Sequence, residues 1–214
     1  MKRKKRSEKP RKTILIVTAN EAESLYFSQM RKDSRYTNMT VIWDEEATGV
    51  EDLIKRAAKE RTRQKYDSQW VVFSFEDFGM SATEFKEVEM IAKKRKVQLA
   101  WANPSFSLWY LLHLTSPKSF VQSSELIDRE LAKVLPQFDS SAEYLLSEGA
   151  NLHLKLFPAK AQAVVNASQY NERTIRDAGG IAPVSMTKLL NDISTICGNA
   201  DMTYNQKMIG IKNN

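Results

Sequence analysis

The sequence predicts an α/β fold: a mainly parallel, Rossmann-like sheet of about four strands flanked by helices, with a helical C-terminal portion. Two observations carry this. Short runs rich in β-branched and apolar residues alternate with amphipathic stretches of helix length, the pattern of strands joined by right-handed helical crossovers. Beyond residue 122 the signals are helical only. A chain of 214 residues, 42% hydrophobic and 27% charged, is long enough to bury one α/β core and too short for two full-sized domains. The expected division is a basic, disordered tail over 1–12, an α/β core over 13–122 and a helical portion over 123–214 packed on that core.

The first strand is Thr13–Val17 (TILIV), apolar throughout as a strand covered on both faces should be. Asn20, followed three residues later by Glu23, forms a capping-box signature, and the helix it opens runs from Glu21 to Lys32 with Leu25, Tyr26, Phe27 and Met30 directed to a core. Met39–Trp43 is the second strand, and Gly49 leads into a helix from Val50 to about Gln64. The third strand, Trp70–Phe75, is expected to be central. A helix over Thr83–Lys94, with Phe85, Val88, Met90 and Ile91 as its apolar positions, precedes a fourth strand over Val97–Trp101. Asn103-Pro104 then reads as a helix start, with Asn as cap and Pro at the first helical position. The helix it would open, Ser105–Leu114, is apolar nearly all round and therefore buried. Four further helices are expected at Glu125–Leu135, Ala142–Ser147, Ala159–Tyr170 and Met186–Ile196.

The net charge of +6 is unevenly spread. Residues 1–12 hold eight basic side chains (Lys2, Arg3, Lys4, Lys5, Arg6, Lys9, Arg11 and Lys12) and one acid, which leaves residues 13–214 with 24 basic and 25 acidic residues. A dense cationic arm binds phosphate backbones without sequence preference. It equally suits a solvated leader that keeps the protein soluble. The clusters at Lys55–Lys65 and Lys93–Lys96 read as the wet face and the end of helices, where cations suit the macrodipole. No run approaches the length of a membrane span and no secretory signal is visible, so a cytoplasmic protein is expected. One cysteine, Cys197, leaves no internal disulfide or multi-cysteine zinc site.

Chemistry is expected at Ser74-Phe75-Glu76-Asp77, the mouth of the third strand, because ligands of open α/β sheets gather beyond the carboxyl ends of central strands. On an extended strand Ser74 and Glu76 share a face, and Asp77 points away from Glu76. Glu21 and Glu23 lie close by, and each also suits a solvated helix first turn. His113 and His153 read as structural histidines, the latter in a short amphipathic stretch. Cys197 reads as a small buried hydrophobe. Trp43, Trp70, Trp101 and Trp109 read as core, with Trp101 able to line the crevice. No nucleophile elbow or phosphate-binding glycine loop is present.

The succession ILIV, NEAESLYF, WVVFSFEDFG and AWANPSFSLWYLLHL, followed late by APVSMTKLLNDI, resembles the RloB-like family of bacterial proteins. The resemblance implies a Toprim-like sheet, as in topoisomerases, primases and OLD-family nucleases. It also implies an association with restriction loci and phage defence by abortive infection, sometimes beside an ATPase partner. The departures are specific. Where the family places Cys-Glu-Gly-Glu-x-Glu after the first strand, this chain has Thr18-Ala19-Asn20-Glu21-Ala22-Glu23, so the leading glutamate falls on Ala19. The family's Asp-x-Asp falls on Ser74 and Glu76, and its Phe-Glu on Phe106-Ser107. Three of four expected carboxylates are thus replaced, at Ala19, Ser74 and Ser107. Mg²⁺ needs hard oxygen ligands in near-octahedral array, and Glu76 alone is a weak basis for one. The expectation is a catalytically degenerate protein, needing no cofactor, that binds nucleic acid or a protein partner. The alternative is a divergent Mg²⁺-dependent nuclease using Glu21 or Glu23 with Glu76 and Asp77.

Overall fold

A computed structural model describes residues 11–136, 138–147 and 152–198. Four parallel strands, β1 (Ile14–Thr18), β2 (Met39–Trp43), β3 (Ser68–Ser74) and β4 (Gln98–Ala102), pair in the order β2-β1-β3-β4. The helices α1 (Glu21–Asp33), α2 (Val50–Gln64) and α3 (Ala82–Arg95) are the crossovers between them. The chain steps outward from β1 to β2, then back across β1 to β3, so that with right-handed crossovers α1 covers one face while α2 and α3 cover the other. The apolar side chains divide accordingly. Ile14, Ile16, Trp70 and Val72 join a core with Tyr26, Phe27 and Met30 of α1. Leu15, Val17, Val71 and Phe73 join Leu53, Ile54, Phe85 and Val88 on the opposite face. Both central strands are buried along their whole length, which is why their sequences do not alternate in polarity.

The pairing of β1 with β3 ends at Thr18 opposite Val72, so Phe73 and Ser74 extend beyond the last residue of β1. This offset makes a step at the carboxyl end of the sheet, and Ala19 closes it by donating its N–H to the Val72 carbonyl at 3.0 Å.

The α1 face is deepened by α4 (Ser107–Leu114), α5 (Ser124–Val134), α8 (Lys160–Thr174) and α9 (Met186–Cys197), with two short helices, α6 (Ala142–Leu146) and α7 (Leu152–Leu156), before α8. Leu108, Trp109, Leu111 and Leu112 of α4 are fully buried and share one hydrophobic cluster with Ile127, Ala163, Tyr170 and Leu189. Among the described residues no helix is long and apolar enough to cross a membrane.

Several expectations need correction. Asn103-Pro104 does not start a helix: its peptide bond is cis, and α4 begins only at Ser107. Both residues are held by distant backbone instead, the Asn103 N–H by the Pro183 carbonyl at 2.8 Å and the Pro104 carbonyl by the Glu76 N–H at 3.1 Å. Met90 is 66% exposed, and Trp43, at the end of edge strand β2, is 39% exposed. The stretch around His153 is a buried helix, not an amphipathic one, with Leu152, His153, Leu154 and Leu156 all inside. Cys197 is only half-buried, and burial followed by the nearby Asp192 carboxylate pushes its thiol up to about 11.

Candidate functional site

Two capping boxes meet at the step between β1 and β3. In the first, Asn20 caps α1 and its side-chain oxygen accepts the Glu23 N–H at 2.9 Å. The Glu23 carboxylate reaches back, and its Oε2 accepts the N–H groups of Ala19 at 3.1 Å and Asn20 at 3.4 Å. Reciprocal bonding of this kind satisfies helix N–H groups that have no intrahelical partner. In the second, β3 stops at Ser74 and the chain tightens into a 3₁₀ turn over Phe75–Phe78. Asp77 folds back to accept the Ser74 N–H on Oδ2 at 2.7 Å. Gly79, at φ 59°, closes the turn in a left-handed conformation that glycine adopts without a Cβ clash.

Two hydrogen bonds join the boxes. Ser74 Oγ donates to Glu23 Oε1 at 2.9 Å, and Asn20 Nδ2 donates to Asp77 Oδ1 at 2.9 Å. Glu23 is thereby removed from solvent altogether, at 0% exposure. Burial, and then the neighbouring Asp77 charge, hold its carboxyl well above the usual range, against the opposing pull of the Ser74 hydroxyl and the Asn20 and Ala19 N–H groups. Asp77 is exposed as a residue, yet both its carboxylate oxygens turn inward to Asn20 and Ser74. Desolvation raises its pKa, and the Asn20 amide and Ser74 N–H oppose that rise.

The extended-strand expectation for Ser74 and Glu76 fails because the strand ends between them. Glu76 leaves the network: its Oε1 accepts the Ser124 N–H at the start of α5, at 3.0 Å. Asp77, expected to point away, is the residue that returns to the site. A cavity of about 290 Å³ opens beside this network, lined by Asn20, Glu21, Ser74, Glu76, Asp77 and Ser105. Glu21 sits half-buried at its lip. Ser107 is buried in the first turn of α4 and does not line the cavity.

A model of the family described as RloB-like protein matches residues 14–193. The chain belongs to the RloB-like family. No curated protein and no solved structure matches it. The match covers all four strands and α1 through α8, and so spans the residues of both capping boxes and the turn around Pro104.

Whether the carboxylates of this RloB-like mouth suit a divalent metal is decided by their donors. Both oxygens of Glu23 and both of Asp77 already accept N–H or O–H groups of the chain, and Glu76 is tied to Ser124. Among the described residues, no three His, Cys, Asp or Glu side chains come together in a way that could hold a metal ion. A hard cation held by one or two carboxylates needs oxygen lone pairs aimed at a common point. This donor set does not fit one.

Asn20 is the residue that sequence reading undervalued. Its helix cap was legible, but not its bond to Asp77. The signal was available: Asn20-x-x-Glu23 and Ser74-x-x-Asp77 are two capping signatures at the ends of strands that pair. Asn20→Ala should cost about 1–2 kcal/mol, the upper end of a lost cap, because it removes the cap of α1 and the bond to Asp77 at once. Urea unfolding checks this; unchanged stability would show that the boxes are independent and surface-borne.

The remaining candidates lie elsewhere. His113 Nδ1 pairs with the Trp109 carbonyl at 2.8 Å, and His153 Nδ1 lies 3.2 Å from Asp33 Oδ2. Both are buried. Arg11 and Lys12 are exposed just before β1. Lys2, Arg3, Lys4, Lys5, Arg6 and Lys9 lie outside the described residues.

Proposed function

We propose that this RloB-like chain is a catalytically degenerate, defence-associated protein that uses a Toprim-like scaffold to bind nucleic acid or a protein partner. The supporting observation is the closed network at the strand mouth. Glu23, Ser74, Asn20 and Asp77 satisfy one another and the local backbone, and the small cavity beside them is lined by carboxylates of which Glu76 and Asp77 already accept hydrogen bonds from the chain. A nuclease using Glu21 or Glu23 with Glu76 and Asp77 would have to release Asp77 from that network and Glu76 from Ser124 before their oxygens could meet a metal.

The test is incubation of the purified protein with single-stranded DNA, duplex DNA and RNA in Mg²⁺ or Mn²⁺. No metal-dependent cleavage above a no-protein control is expected. Cleavage that disappears in Glu76→Ala would overturn the reading and restore the nuclease alternative.

A further inference from the structure

We infer that the pole of the sheet opposite the strand mouth is a phosphate-binding face for nucleic acid, of which the basic N-terminal arm is only one part. In a parallel sheet every crossover helix begins at the carboxyl ends of the strands and ends at their amino ends. Here each crossover helix is charged along that axis. The first turns hold Glu21 and Glu23 in α1, Glu51 and Asp52 in α2, and Glu84 in α3. The last turns hold Arg31 and Lys32, then Arg61 and Arg63, then Lys93, Lys94 and Arg95. Residues 13–214 are close to neutral by count, but the topology sends the first-turn acids of the crossovers to one pole and their last-turn bases to the other.

Helix dipoles alone favour cations at C-termini, so a second observation matters. The residues that leave the three helices in the left-handed conformation are Arg35 (φ 54°), Lys65 (φ 58°) and Lys96 (φ 58°). Glycine is the least strained residue at such a position. All three instead carry a long cation, and all three are exposed.

These loops form one continuous strip. Asn38 donates its side-chain amide to the Lys12 carbonyl at 2.7 Å, joining the loop before β2 to the start of β1. Thr13 and Asp67 exchange backbone and side-chain bonds, joining β1 to the loop before β3. Arg61 donates to the Arg95 carbonyl at 2.9 Å, joining the ends of α2 and α3. Strands about 4.8 Å apart make the strip roughly 15 Å wide, enough to follow several phosphates of one strand. Most acids near it are engaged: Asp67 with Thr13, Glu60 with Arg56 and Arg63, Asp33 with His153, and Asp192 with Ser68 and Trp70, while Glu89 lies one turn before Lys93 on α3. A cleft of about 380 Å³ at the α1 end combines Arg31, Lys32 and Arg35 with Ser28 and Thr37, hydroxyls suited to phosphate oxygens. The exposed large apolar side chains of the described residues lie outside these loops and last turns, whereas membrane-surface binding draws on apolar insertion as well as charge.

This inference rests on the nucleic-acid branch of the proposed function and replaces the arm alone as its agent. The test uses the full-length chain and three probes: a fluorescein-labelled 30-nucleotide oligo(dT), a 30-base-pair duplex and an RNA of the same length, titrated across a salt series. The triple variant Arg35→Gly, Lys65→Gly, Lys96→Gly removes three cations at positions where glycine relieves the backbone. It should melt no lower than wild type, bind roughly tenfold or more weakly, and lose about 2 from the magnitude of its salt slope on oligo(dT). The asparagine counterparts, also tolerant of positive φ, serve if the glycine set folds poorly. Unchanged affinity and slope in the triple variant, with binding lost on changing Lys2, Arg3, Lys4, Lys5, Arg6 and Lys9 to Gln, would overturn the pole while sparing the nucleic-acid reading. Absence of binding to every probe at 50 mM salt would sink both. Tight binding to phosphatidylserine vesicles without binding to nucleic acid would also overturn it.

Discussion

Glu23→Ala is expected to unfold about 2–4 kcal/mol more readily than wild type, while Glu23→Gln stays close to it at pH 5. The alanine variant leaves the buried Ser74 hydroxyl and the partly buried Asn20 N–H without the carboxylate that accepts from them, and a buried group left unsatisfied costs about 1–3 kcal/mol. Glutamine keeps an acceptor for the backbone and an amide beside Ser74. The two variants also separate packing from ionisation. Because the folded-state pKa of Glu23 is raised, the folded protein holds more protons than the unfolded chain above the ordinary carboxylate range. The stability this gives is complete below the unfolded pKa and is lost as pH rises through the folded one. Wild type should therefore lose ground to Glu23→Gln as pH rises from 5 to 8, whereas Asp77, also raised, is common to both proteins and drops out of the difference. Urea denaturation across that range measures it; a constant difference between the two proteins would mean that Glu23 does not titrate as its burial demands.

The acid limb should belong to the histidines. Burial lowers His113 from 6.5 to about 4, against the partly offsetting hydrogen bond to the Trp109 carbonyl. Here the unfolded chain binds the extra proton, so the contribution is present above pH 6.5 and is lost as pH falls toward 4. A shift of that size corresponds to something on the order of 2–3 kcal/mol, discounted for relaxation around the charged ring. His153 is lowered by burial too, with Asp33 opposing, and adds in the same sense. His113→Gln, which retains a side-chain N–H for the Trp109 carbonyl, should melt with a visibly flatter pH dependence between 6.5 and 4. An acid limb as steep as that of wild type would assign the loss to other groups.

What could be read in the sequence follows the range of the interactions. The four strands and the helices around them lie within two residues of expectation at most ends, because buried strands and capping boxes are written in adjacent residues. Failures occur where one residue answers to a distant one. Pro104 obeys the helix-start rule locally, but its carbonyl is taken by Glu76 from another segment. Glu23 has the sequence of an ordinary first-turn acid, and only the register of β1 against β3 brings Ser74 to it. Asp77 diverges from Glu76 as expected, but its return to Ser74 and Asn20 depends on the turn after Ser74, which the expectation of an extended strand did not contain. The segregation of charge was hidden for a related reason: a net charge sums over the chain and has no direction, whereas the sheet gives each helix one.

The offset of β3 beyond β1 bears on how much charge the strand mouth can accept. Ser74 stands on that overhang, and its hydroxyl points at the carboxylate of Glu23. An aspartate at this position would face a buried acid whose pKa burial and Asp77 already raise, with no cation near enough in the network to relieve them. A further carboxylate here would thus destabilise the fold. The two caps set how much negative charge the strand mouth can hold: Ser74→Asp would be accommodated only if Glu23 or Asp77 changed with it.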